Sequence, residues 1–182
     1  FLPRPWQLAN EFPQLRVTEV DLPEVIAEKQ KRFARARLTL PPNLKMRSAD
    51  LGTKPLSEVL GGEKADVILA EGLLPYFTLD VVQRIAAGVR QSLKAGGVFI
   101  ADIMTKEIMA ELGRGAARQA VALFRRNAGN WLGVLDEPSH AQRLFSAVGY
   151  SRVETHMIQE LAERLPHLPK PANIVLFVLA YN

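Results

Sequence analysis

The sequence predicts an α/β protein with a doubly wound, mostly parallel sheet whose last strand runs antiparallel. Three observations carry this. Short apolar runs alternate with helical stretches through residue 103, the order that builds a parallel sheet with helices on both faces. The runs Ala65-Asp-Val-Ile-Leu-Ala-Glu71 and Val98-Phe-Ile-Ala-Asp-Ile103 have continuous apolar centres, as strands covered on both faces do. The final two strand patterns are joined by a polar, proline-rich stretch without a clear helix. A parallel crossover usually contains one, so the final strand reverses.

Each element follows from local signals. Residues 7–11 read as the end of a helix closed by Pro13, and residues 16–20 as a strand. Pro23 suits the first position of a helix to about residue 36, where its missing N–H costs nothing. A weaker strand covers 44–50 after the Pro41-Pro42 turn, and a short helix over 55–60 ends at Gly61-Gly62. After the strand at 65–71, Thr78 caps a helix over 79–94, with Val81, Val82, Ile85, Ala86, Val89 and Leu93 at spacings of three and four. Lys94-Ala-Gly-Gly97 is a stop before the strand at 98–103. A long helix is expected over 106–126 and a loop over 127–138. Ser139 then caps a helix that Gly149 ends. Residues 151–158 alternate as a strand, and 173–181 form the last one.

Composition narrows the function classes. The 182 residues suit a single domain, and 48% hydrophobic with 23% charged residues is ordinary for a soluble globular protein. No apolar run approaches the ~18–20 residues that cross a bilayer, and the first residues do not form a basic segment leading into an apolar core. With zero cysteines, disulfides and thiolate metal sites are excluded, which fits a cytoplasmic protein. The net charge of +4 is modest. Basic residues cluster at 29–37 and around Arg114, Arg118, Arg125 and Arg126. They read as solvated faces of two amphipathic helices rather than a nucleic-acid surface, since neither cluster interleaves with aromatics. None of His140, His156 and His167 has a second ligand at metal spacing, so no metal site is expected. His140 opens a helix and could orient or deprotonate a hydroxyl, although a surface helix position is its plainer reading.

Four segments then occur in order: Glu19-Val-Asp-Leu-Pro-Glu-Val-Ile-Ala-Glu-Lys29, Ala49-Asp-Leu51, Ala70-Glu-Gly-Leu-Leu-Pro-Tyr-Phe77 and Leu93-Lys-Ala-Gly-Gly-Val-Phe-Ile-Ala-Asp102. Together they resemble the leucine carboxyl methyltransferase-like, O-methyltransferase branch of class I S-adenosylmethionine-dependent methyltransferases, over about residues 7–104. The resemblance implies a Rossmann-like methyltransferase sheet and S-adenosyl-L-methionine as cofactor. It implies that Asp21, with Glu19 nearby and Leu22 beside it, accepts from the ribose hydroxyls; a carboxylate can take two such donors. The residues themselves leave open that one acid merely caps the helix at Pro23.

Asp50 and Leu51 match the segment bordering the adenine, where Asp50 would accept from the exocyclic amine and Leu51 would pack on the ring. A turn aspartate is the other reading of Asp50. Glu71 matches a position beside the methionine part of the cofactor, and Tyr76 one close to the transfer site. Glu71 also sits where a strand ends, at the ligand-binding edge of open α/β sheets. Buried there, it would need a cationic partner, the cofactor's ammonium or an arginine.

In the family, a first strand and glycine-rich loop come ahead of the acidic strand; here they would lie before Phe1. The chain over residues 1–182 thus reads as one N-terminally incomplete methyltransferase-like domain, its first strand supplied by an upstream segment or by a second copy. Methyl transfer from a sulfonium is an in-line displacement in which alignment supplies ~7–11 kcal/mol of the barrier reduction. The expected acceptor is a carboxylate or hydroxyl of a small molecule or peptide; Met109, Leu112, Phe124, Trp131 and Leu132 read as an apolar lining for it or equally as core. Two other classes remain open at this point: a non-catalytic small-molecule or partner-binding domain on the same fold, and a basic nucleic-acid-binding module.

Overall fold

A computed structural model describes residues 3–114, 118–119, 122–123, 129–165 and 175–182. The chain forms two compact units, Phe1–Lys54 and Pro55–Asn182.

In the first unit, α1 (Arg4–Glu11) precedes β1 (Val17–Asp21), α2 (Pro23–Arg35) and β2 (Leu44–Ser48). The two strands pair in parallel, Val17 opposite Leu44 through Asp21 opposite Ser48. Asn43 ties the unit together: its side-chain amide donates to the carbonyls of Ala9 (3.0 Å) and Leu15 (2.8 Å). Trp6 donates its indole N–H to the Thr39 carbonyl at 3.0 Å and packs on Phe33 with ring centroids 6.3 Å apart. The core beneath is small, built on Ala9, Ile26, Leu44 and Ala49.

The second unit holds α3 (Leu56–Val59), β3 (Ala65–Ala70), α4 (Leu79–Ser92), β4 (Leu93–Thr105), α5 (Lys106–Leu112), β5 (Val134–Leu135), α6 (Pro138–Val148), β6 (Arg152–Met157), α7 (Ile158–Glu163) and β7 (Leu176–Tyr181). Among the described residues the sheet order is β3-β4-β7-β6, with β5 also on β4. β3 and β5 run parallel to β4, while β7 is antiparallel to both β4 and β6. The last strand is therefore reversed as expected, although its connection does contain a helix, α7. One sheet face is fully covered: Phe99, Ala101, Ile103, Val178 and Ala180 are buried with Ala86 and Val89 of α4 and Phe145 of α6. Phe99, Phe145 and Tyr150 form an aromatic cluster with centroids 5.9–6.4 Å apart, and the Tyr150 hydroxyl donates to the Ala86 carbonyl at 2.9 Å.

Several local expectations shift. β3 is not covered on both faces: Val67 is 57% and Leu69 47% exposed. Both lie on the face that β4 continues with Val98 and Ile100, the residues they pair with. β4 begins at Leu93, not Val98, because the glycine stretch is itself laddered: the Gly96 amide donates to the Asn182 carbonyl (3.0 Å) and the Asn182 amide to the Gly97 carbonyl (2.9 Å). Residues 134–135, expected as loop, form a short strand, and a helix covers residues 158–163 in the stretch expected to be irregular. Of the helix expected over 106–126, residues 106–112 form α5, and residues 118–119 and 122–123 are also helical. Much of its remainder, with Phe124, Arg125 and Arg126, lies outside the described residues, as does His167. No described helix is long and apolar enough to cross a membrane.

Candidate functional site

The first unit brings Asp21, Leu22, Asp50 and Leu51 to one edge. Parallel pairing makes β1 and β2 end together, and the Ala49 amide donates to the Asp21 carbonyl at 2.9 Å. Glu19 and Asp21 share a strand face because side chains alternate, yet their surroundings differ. Lys29 lies on the buried stripe of α2, three residues beyond buried Ile26. Its ammonium donates to Glu19 Oε1, and the two side chains are only 6% and 12% exposed. Glu19 Oε2 is buried without a hydrogen-bond partner. Glu19 is thus turned toward the helix, and Lys29 does not belong to the solvated basic face on which the sequence placed it. The signal was legible in hindsight: a lysine spaced with Ile26 falls on the apolar stripe.

Neither acid caps α2, whose N-terminal flank at Leu22 has no side-chain cap bond. Asp21 Oδ1 accepts from the Leu22 amide at 2.8 Å, and its second oxygen has no partner among the described residues. That leaves lone pairs at a sheet edge able to take hydroxyl donors. Leu22 is exposed and Leu51 half-buried. Asp50 behaves as a turn aspartate, its Oδ1 accepting from the Gly52 amide at 2.8 Å and its carbonyl from the Lys54 amide at 2.8 Å.

In the second unit, Glu71 follows β3 and is exposed, so burial does not force a partner on it. The next residue, Gly72, holds φ +62° and donates its amide to Asp102 Oδ1 at 2.6 Å. Asp102 lies on β4. Burial pushes its carboxyl above the usual carboxylate range; the Gly72 amide opposes this, and the Glu71 charge adds to it. Two acidic groups therefore lie close enough to influence each other near the end of β3. The signal for Asp102 was the one used for Asp21, an acid near the carboxyl end of an apolar strand.

Tyr76 closes a one-turn 3₁₀ helix, Leu74–Tyr76, and is half-buried. The turn is braced from across the unit. The Pro75 carbonyl accepts from the amides of Leu132 (2.7 Å) and Gly133 (2.9 Å). A Cβ at Gly133 would lie 2.7 Å from the carbonyl oxygens of both Leu74 and Phe77, so only glycine fits this approach. Of the apolar residues expected to line an acceptor pocket, Leu112 is buried in the core, Leu132 is 55% exposed, and Met109 and Trp131 are half-buried.

A cleft of about 390 Å³ opens between α4 and α6, lined by Leu79, Asp80, Gln83, His140, Arg143 and Leu144. His140 is 28% exposed, with Nδ1 3.8 Å from Asp136 Oδ2. Asp136 pairs with Lys106 at 2.5 Å, and that hydrogen bond holds its carboxyl below the usual range. Among the described residues, no group of three or more His, Cys, Asp or Glu could hold a metal ion.

Comparison with known proteins gives a partial sequence match and a shared fold. Residues 3–90 match the leucine carboxyl methyltransferase family model. No curated protein sequence matches the chain. Among solved structures, a putative O-methyltransferase from Nostoc punctiforme superposes with a TM-score of 0.64 at 19% identity, covering 96% of this chain and 46% of that one. Human N-acetylserotonin methyltransferase, solved with S-adenosylmethionine, gives 0.62 at 16% identity, covering 96% and 42%. An O-methyltransferase family 2 protein from Planctomyces limnophilus, in complex with apigenin, gives 0.61 at 16% identity, covering 96% and 44%. The chain thus spans a little under half the length of each of these structures, and the likeness to them is one of fold. The first part of the chain is thus similar in sequence to the leucine carboxyl methyltransferase family, and the chain shares the fold of the solved methyltransferases.

Proposed function

We propose that the protein transfers a methyl group from S-adenosyl-L-methionine to an oxygen, carboxylate or hydroxyl, of a small molecule or peptide. The observation that carries this reading is Asp21: a carboxylate at the end of β1, outside any helix cap, with one oxygen left for a hydroxyl donor. In this reading Asp21 takes the ribose hydroxyls through charge-assisted bonds, with Leu22 beside it, while Glu19 supports the strand through Lys29 instead of touching the cofactor. Leu51 packs on the adenine, and Asp50 orders the turn that presents it while keeping an oxygen for the exocyclic amine. Glu71 meets the cofactor's ammonium, its turn fixed by Asp102, and Tyr76 borders the transferred methyl. The cofactor supplies an activated methyl when bound; the chain's contribution is alignment.

Calorimetric titration with S-adenosylhomocysteine tests this. Saturable binding that Asp21→Ala weakens by at least tenfold supports it, because each hydrogen bond to a charged group contributes ~1.5–3 kcal/mol. Absence of binding would favour a non-catalytic partner-binding domain on the same fold. Burial of Lys29 and pairing of Arg32 with Glu28 at 2.9 Å reduce the basic face that a nucleic-acid module would need. Among the described residues β3 pairs on one side only, with β4, and its other side is where we place an added strand, with a second copy of the chain as one source of it.

A further inference from the structure

We propose that His156 is a proton-operated clasp that holds α7 on β6, so that α7 is ordered when the imidazole is charged and frays when it is neutral. The inference lies beyond the methyltransferase reading and stands whether or not a cofactor binds.

α7 has little else to hold it. Its six residues, Ile158–Glu163, include none that is buried, and the flank at Met157 supplies no side-chain cap bond. A helix this short is far below the ~12–15 residues at which isolated helices become even marginal in water. The Ile158 amide donates to the Val175 carbonyl at 2.9 Å and anchors the start. Beyond that start, the described polar contact back to the strand is Glu160 on His156. One such contact can therefore set how far a weakly held element is populated.

His156 lies near the end of β6 with both ring nitrogens facing carboxylates. Nε2 is 3.5 Å from Glu154 Oε2 on the same strand, and Nδ1 is 3.6 Å from Glu160 Oε2 on α7. A neutral imidazole carries one proton and can donate toward one of them; the imidazolium donates toward both. Losing the charge does not affect the two glutamates alike. Glu154 keeps Arg152, whose Nε lies 3.3 Å from Oε1 and whose guanidinium sits 3.9 Å over the Tyr181 ring. Glu160 has no second partner among the described residues. The contribution to α7 is thus present while the ring is protonated and is lost as pH rises through its titration.

Among the described residues no other charge is paired with the ring. On β6 the facing groups are Arg152 and Glu154, while Glu163 and Arg164 lie at the far end of α7. β7 presents Phe177 opposite His156, followed along the same face by Leu179 and Tyr181. Beyond Phe177 the row reaches Asp102 of β4, ~10 Å away across two strand spacings, its carboxyl shifted toward the neutral form by burial. α6 packs on the opposite face, where Phe145 is buried with Val178 and Ala180. Position gives the clasp its interest. β4 and β6 are both antiparallel to β7, hence parallel to each other, so α5 and α7 leave the sheet at one edge. Open α/β sheets receive ligands at that edge, and the charge on His156 sets the order of one rim of it.

The test is NMR on the isotope-labelled full chain between pH ~8 and ~5.5, where an imidazole titrates and carboxylates stay charged. Ring carbon signals report the charge on His156, and backbone carbon shifts of residues 158–163 report the helical fraction of α7. The ratio of helical to frayed α7 should rise about two- to fivefold on acidification, as a partly exposed ion pair implies. Its midpoint should coincide with that of the ring. Glu160→Gln changes a side chain that is 59% exposed and leaves the core intact; the ring should still titrate while the α7 response disappears. His156→Gln should leave α7 equally unresponsive. The buried Phe99 ring should hold still throughout, which separates the clasp from general acid unfolding. A helical fraction that ignores pH, that follows a midpoint other than the ring's, or that responds equally in Glu160→Gln overturns the inference.

Discussion

Replacing Lys29 by methionine tests the division of roles between the two acids of β1. The Lys29–Glu19 pair is 6% and 12% exposed, and Glu19 Oε2 already lacks a partner. Removing the ammonium leaves a carboxylate with little access to water. Breaking a buried pair from one side costs ~3–5 kcal/mol, whereas an exposed pair contributes ~0–1 kcal/mol. For a chain of this size each kcal/mol shifts Tm by ~2–4 °C, so Lys29→Met should lower it by ~6–20 °C. The assay can be confined to the first unit. The protein has 2 tryptophans, Trp6 and Trp131, so in a Trp131→Phe background urea unfolding followed by fluorescence reports on α1 and its neighbours. Lys29→Met with Glu19→Leu should recover most of the loss, because packed apolar residues replace a buried pair at little cost. A loss below ~1 kcal/mol in the single variant, or no recovery in the double, would refute a buried structural pair. Glu19 would then be available as a cofactor ligand after all.

Further expectations follow from particular contacts. Asp102 has a carboxyl raised chiefly by burial, so its ionised form costs stability above its folded pKa, and the cost is relieved as pH falls through that value toward the ordinary range. Asp102→Asn should therefore be the more stable protein at pH 7, with the gap closing near pH ~4; a gap that widens on acidification contradicts this. Gly133→Ala places a methyl 2.7 Å from two carbonyl oxygens and should cost ~1–3 kcal/mol while displacing the Tyr76 turn, measured by thermal melts. A chain that copes unchanged would mean the loop at 131–133 does not brace it. If a second copy pairs along β3, sedimentation should give a concentration-dependent dimer that Val67→Lys with Leu69→Lys abolishes; an unaltered mass in that variant removes the β3 edge from the interface.

Much of the fold was legible because its signals are local. Pro23 opens α2 where its missing N–H is harmless, and the spacing of Val82, Ile85, Ala86 and Val89 gives the buried face of α4. Reversal of β7 was expected from a connection without a clear helix, and it holds although a helix covers residues 158–163. What escaped depends on partners distant in sequence. The glycines at 96 and 97 look like a stop, yet they ladder with Asn182 at the end of the chain. Val67 and Leu69 read as doubly covered because apolar continuity cannot say whether a second layer is present. The site divides in the same way. Asp21 stands out from strand-end chemistry alone. Lys29 was mistaken for surface because a charge run conceals one buried member, and Asp102 needed the Gly72 amide to be noticed. The cleft at His140 depends on α4 and α6 packing together, which residue spacing does not encode.

The central claim is that Asp21 holds the ribose of an S-adenosyl cofactor. Calorimetric titration of the full chain and of Asp21→Asn with S-adenosylhomocysteine tests it most directly. The isosteric amide keeps one acceptor but loses the charge and replaces the other acceptor with a donor facing a hydroxyl. The account predicts saturable binding by the parent protein and a loss of ~10- to 100-fold in the variant, with an unchanged melting temperature in the absence of ligand. Equal affinity in the two proteins would contradict it.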